Sequence, residues 1–81
     1  MTRYEQSDLG RCDFLDVLEE SVLMHAEVEV ELSDGTTFRD RLVDVVTKDG
    51  QDTARFRGRD PVPVSSIAAI ERETLPHTYP T

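Results

Sequence analysis

Apolar residues along this chain first recur with a helical period. At about 100° per residue, Phe14, Leu15, Leu18 and Val22 fall on one side of a helix. Asp13, Asp16 and Glu20 form a stripe on another side, with Glu19 farther round. The pattern predicts an amphipathic helix over about residues 13–24. Asp13 suits the N-cap, and Asp16 at N3 makes a partial capping box.

The period then changes from 3.6 to 2. Glu27-Val28-Glu29-Val30-Glu31-Leu32 alternates strictly, as a strand with one buried face does. Ser33-Asp34-Gly35 supplies turn chemistry, with Gly35 free to take a positive φ. A three-residue loop there pairs Val30 with Phe38, Glu29 with Arg39 and Glu27 with Arg41. Asp40 breaks the alternation on the core face, and a bend or bulge at that point would release it to solvent. The second strand continues through Leu42, Val43, Val45 and Val46 to Lys48-Asp49-Gly50. A third runs over about Thr53–Arg57, with Ala54 and Phe56 on one face. Pro61 and Pro63 place the next segment at a sheet edge, and Val64 to Ile70 ends the patterned part. Residues 1–11 show no period and read as a flexible arm, and 73–81 read as a flexible tail.

One helix followed by short strands and tight turns predicts a mainly β fold: a small, strongly bent barrel of four to five antiparallel strands with an N-terminal α-helix. With 81 residues there is room for one domain, placed at 12–72. Hydrophobic residues make up 37% of the chain and Trp is absent, which fits a modest core without the thick walls of a catalytic cavity.

Charge changes the picture more than size does. The formal net charge is −8. Asp13, Asp16, Glu19, Glu20, Glu27, Glu29, Glu31 and Asp34 all lie between residues 13 and 35, a stretch with no Lys or Arg, and the remainder of the chain is neutral. Such a field repels nucleic-acid phosphates and attracts a basic partner. Three other origins compete with a partner: solubility, a salt-loving host, and pairing with this chain's own arginines. The hairpin register already brings Arg39 and Arg41 beside Glu29 and Glu27. The helix acids have no such neighbours in sequence.

Candidate chemistry is sparse. His25 stands at the helix C-terminus and His77 in the tail, so neither is set beside a nucleophile. Cys12, the one cysteine, allows no internal disulfide and favours a reducing compartment; just ahead of the helix it reads as structural or incidental rather than reactive. Three Cys and His residues in all do not make a zinc site, the acids lack calcium-loop spacing, and the four glycines are scattered. The residues point away from an enzyme and call for no cofactor or metal. No apolar run approaches a membrane span, and the polar N-terminus lacks the apolar core of a signal peptide, so a cytoplasmic location is expected. The alternative to a protein partner is RNA, held by Arg39, Arg41, Arg55, Arg57 and Arg59, although glutamates lie beside them and no aromatic residue on that face offers stacking.

Cys12-Asp13-x-x-Asp16-x-Leu18-Glu19, then Val30-Glu31-Leu32-x-Asp34-Gly35 and a bent strand carrying Asp44-Val45-Val46, resemble the Rof (YaeO) family of bacterial inhibitors of the Rho termination factor. The resemblance runs from about Cys12 to Ile70. It implies an Sm-like barrel with an N-terminal helix and an acidic surface that docks on the RNA-binding domain of Rho, obstructs its primary RNA site and suppresses Rho-dependent termination. Asp13, Asp16 and Glu19 carry over by position, and Glu20 joins them through the helix stripe. Where the family pattern has an acid and a tyrosine after Asp13, this chain has Phe14 and Leu15, and Phe14 is either core or an interface anchor. Val64-Ser65-Ser66-Ile67 lacks the Arg-Gly pair of RNA-binding Sm proteins, which favours the protein-binding branch, and Pro61 and Pro63 argue against ring closure and so for a monomer.

Overall fold

A computed structural model describes residues 2–73 of the chain. The tail expected from residue 73 onward, with His77, lies outside the described residues apart from Glu73. Six strands form one antiparallel order, β1-β6-β2-β3-β4-β5, where β1 is Thr2–Glu5, β2 Glu27–Leu32, β3 Thr37–Lys48, β4 Gln51–Phe56, β5 Val62–Pro63 and β6 Ile67–Arg72. A single turn of helix, α1 (Gln6–Leu9), precedes the main helix α2 (Arg11–Leu23). The fold is mainly β with its helix in the N-terminal half, as the periodicity predicts. Two differences lie in the N-terminal part of the chain.

The first is that, of the arm expected at 1–11, residues 2–11 are structured. β1 pairs with the outer edge of β6 in the register Thr2↔Arg72, Arg3↔Glu71, Tyr4↔Ile70 and Glu5↔Ala69, adding a strand beyond the four to five expected. Four residues carry too little alternation to announce a strand. They are held by a ladder to the far end of the chain, which no local pattern reports.

The second concerns the start of the helix. Helical hydrogen bonding starts at Gly10, whose carbonyl accepts from the Phe14 amide at 3.0 Å, so Asp13 lies in the first turn and is not the N-cap. Gly10 takes φ +81°, the conformation that lets α1 turn directly into α2. Asp13, in that first turn, still interacts favourably with the positive end of the helix dipole. At the other end Ala26 donates to the Ser21 carbonyl and His25 to that of Val22, each at 3.1 Å. This double bond pattern is a Schellman stop, with His25 at φ +55° in the place glycine usually takes.

Register in the first hairpin is as the alternation requires: Val30↔Phe38, Glu29↔Arg39 and Glu27↔Arg41. The bend in β3 comes later than expected. The register with β4 shifts between Leu42 and Asp44, which leaves Val43 as the extra residue, turned outward. Asp40 does not escape to solvent. It stays half-buried because its carboxylate accepts from the Gly58 amide at 3.0 Å and from the Arg41 amide at 2.7 Å.

The bend carries β3 from pairing with β2 to pairing with β4, and both halves close on one core. Phe14 and Leu18 of α2 meet Val28, Val30, Phe38, Leu42, Ala54, Phe56, Val64, Ile67 and Ile70 there. Phe38 and Phe56 pack edge to face with centroids 5.1 Å apart. Phe14 is fully buried and is therefore core, not an interface anchor. No hydrogen-bonded ladder among the described residues joins β1 to β5, so the bent sheet is open between them.

Candidate functional site

The outward face of α2 follows from what its inner face must bury. With Phe14, Leu18 and Ser21 inside, the helical repeat brings Cys12, Asp16, Glu19 and Leu23 to the outside in one row, with Asp13 and Glu20 beside it. All six are exposed. The four predicted docking residues are therefore on the surface, and the fold divides them.

Glu20 is paired. Its carboxylate accepts from the guanidinium of Arg72, a side chain only 4% exposed at the end of β6. Arg72 also donates to Ser21 Oγ at 2.8 Å, reaches the Val17 carbonyl and Tyr4 hydroxyl at 3.4 Å, and stacks over the Tyr4 ring at 4.9 Å. Glu20 thus serves to hold α2 on β6 and β1 and is removed from the free carboxylates. Nothing local in the sequence connects position 20 with position 72.

Asp13, Asp16 and Glu19 make no ion pair among the described residues. Of the eight acids between 13 and 35, the fold neutralises three. Besides Glu20, Glu27 accepts from Arg39 at 2.6 Å and Glu31 meets Arg3 at 3.2 Å. Glu29 stays without an ion pair because Arg39, opposite it in the ladder, reaches Glu27 instead; of the five acids of this stretch left unpaired among the described residues, Asp13, Asp16 and Glu19 lie on α2. Asp34 is occupied locally, since the Thr36 amide donates to it at 2.9 Å and holds its carboxyl below the usual range.

Asp44 adds a carboxylate that the helix pattern does not reveal. It sits past the β3 bend, exposed and without an ion pair among the described residues, although Arg55 lies opposite it in the ladder. Glu19, Val22 and Leu23 of α2 and Asp44 and Val45 of β3 line one cavity of about 260 Å³. Leu23 is 80% exposed, the most exposed large apolar side chain among the described residues. Its exposure was legible in the helical repeat. Its juxtaposition to Asp44 depends on the bend.

The arginine set is also divided. Arg39 is spent on Glu27, and Arg41 donates to His25 Nδ1 at 2.6 Å. Arg59 covers the Phe38 ring with its guanidinium carbon 3.5 Å from the centroid. Arg55 and Arg57 stay exposed without an ion pair among the described residues. No three His, Cys, Asp or Glu side chains converge to hold a metal ion among the described residues, and no described helix is long and apolar enough to cross a membrane. Comparison of this chain with family models, with curated proteins and with solved structures returned no match.

Proposed function

We propose that this protein is a Rof-type binding module that docks through the outer face of α2 on a cationic protein surface, that of the termination factor Rho, and so competes with RNA for it. The observation that carries this reading is the set of exposed carboxylates of Asp13, Asp16 and Glu19, which no cation of this chain neutralises among the described residues. Carboxylates held on a rigid helix present fixed negative charge where a phosphate chain would otherwise lie. Attraction of this kind acts mainly on the association rate and weakens with salt. β1 supports action as a monomer, because it replaces the six-residue edge of β6 with a four-residue one, and short edge strands resist extension by another chain. A reducing, cytoplasmic setting accords with the exposed free thiol of Cys12.

The RNA-binding reading draws on Arg39, Arg41, Arg55 and Arg57, of which the first two are already engaged with Glu27 and His25. The test is titration of purified Rho with the wild-type chain and with Asp16→Lys, with and without competing RNA. Saturable binding that RNA displaces and that Asp16→Lys abolishes is expected. Binding to RNA itself with a steep salt slope, and none to Rho, would overturn the proposal in favour of the arginine face.

A further inference from the structure

We infer that the cavity between the end of α2 and the bend of β3 receives an arginine side chain from the basic partner, with its aliphatic stem on Leu23 and Val45 and its guanidinium between Glu19 and Asp44. The inference rests on the reading of α2 as the docking helix and names the chemistry that the helix engages.

Three features of the cavity lead to this occupant. It has an apolar wall in Leu23 and half-buried apolar sides in Val22 and Val45. It has two carboxylates, Glu19 and Asp44, neither in an ion pair among the described residues. A cation entering this cavity is attracted by both carboxylates. A long side chain with an apolar stem and a charged head matches both parts together. A planar guanidinium with several donors can serve two carboxylates at once and sheds its water more readily than an ammonium does, which favours arginine over lysine.

The position argues further against a role inside the fold. Val43, the bulged residue, bends β3 so that Asp44 stands beside the helix end, while Arg55, its cross-strand neighbour, makes no ion pair with it. Leu23 contributes little to the core at its exposure, and Asp44 is held within the fold only by the Val45 amide, which donates to its Oδ1 at 2.9 Å and leaves Oδ2 to outward contacts.

The test is a ¹⁵N–¹H NMR titration of the full-length chain with acetyl-Gly-Arg-Gly-amide at low salt, against the same peptide carrying citrulline, an uncharged isostere of arginine. Saturable shifts are expected at the amides of Glu19, Leu23, Asp44 and Val45 with arginine and not with citrulline. Leu23→Ser and Asp44→Asn, both at exposed positions, are each expected to weaken the response about threefold or more. No shifts, shifts confined to Asp13 and Asp16, or shifts that both variants leave unchanged would overturn the inference. So would contacts between the Leu23 methyls and residues 74–81, or concentration-dependent shifts without peptide, which would give the cavity to this chain's own tail or to a second copy. A chain that takes the arginine peptide here but fails to bind Rho retains the cavity and loses the Rho reading. Rho binding that Leu23→Ser with Asp44→Asn leaves unchanged does the reverse.

Discussion

The guanidinium of Arg72 donates to the carboxylate of Glu20 across 52 positions of sequence, from the end of the last strand to the third turn of α2. Arg72 lies beneath the helix with its Ser21, Val17 and Tyr4 partners, whereas Glu20 is the half-solvated lid on that network. The two ends of the interaction therefore differ in energetic weight. Arg72→Ala strips a buried network and leaves Ser21 short of a partner, and is expected to cost about 3 kcal/mol. Glu20→Gln keeps a hydrogen-bond acceptor at an exposed end and is expected to cost about 1 kcal/mol. Urea unfolding of the two variants measures both.

If α2 docks as proposed, Asp13→Asn, Asp16→Asn and Glu19→Gln together reduce the association rate with Rho and flatten its salt dependence, while dissociation changes less. Glu20→Gln combined with Arg72→Gln removes a pair that is neutral as a whole and leaves the salt slope near that of wild type. Stopped-flow association at several salt concentrations separates these outcomes. Equal effects of that double variant and of Glu19→Gln would contradict the division of the helix acids described above.

Asp52 gives the pH dependence a definite sign. The Arg11 guanidinium, 2.8 Å away, and the Thr47 hydroxyl hold its carboxyl below the usual range. A carboxyl whose folded pKa is lowered contributes its stabilisation above the unfolded pKa of about 3.9 and loses it as pH falls through the folded value. The acid limb of the stability curve is expected to flatten in Asp52→Asn and to keep its slope near neutral pH. Thermal unfolding between pH 2 and 5 checks this (range on the order of the carboxyl titration).

Asp40 and Gly58 form a second tertiary lock. The Gly58 amide donates to the Asp40 carboxylate, and a Cβ at Gly58 would stand 3.1 Å from Asp40 Oδ2. Asp40→Ala is expected to cost about 1–2 kcal/mol through the unpaired amide and the loosened turn. Gly58→Ala is expected to cost less, since the carboxylate yields by a few tenths of an ångström.

Removal of residues 2–5 exposes the β6 edge that β1 now covers. The truncated chain is expected to self-associate more than the complete one, because the six-residue β6 edge is a longer template for another chain than the four-residue β1 edge. Sedimentation velocity of the truncated and complete chains tests this.

The sequence alone determined whatever depends on near neighbours: the helix from Phe14 to Val22, the alternation of Glu27–Leu32, the register of its hairpin and the exposure of Asp13, Asp16 and Glu19. Periodicity reports which way a side chain faces, and turn residues fix a register over a few positions. Tertiary structure decided which of those charges stay unpaired. Glu20 met Arg72, Glu31 met Arg3, residues 2–5 found the β6 edge, and the bend at Val43 set Asp44 beside Leu23. Each of these partners is brought near by folding rather than by adjacency in the chain, and a Coulomb interaction depends on distance in space.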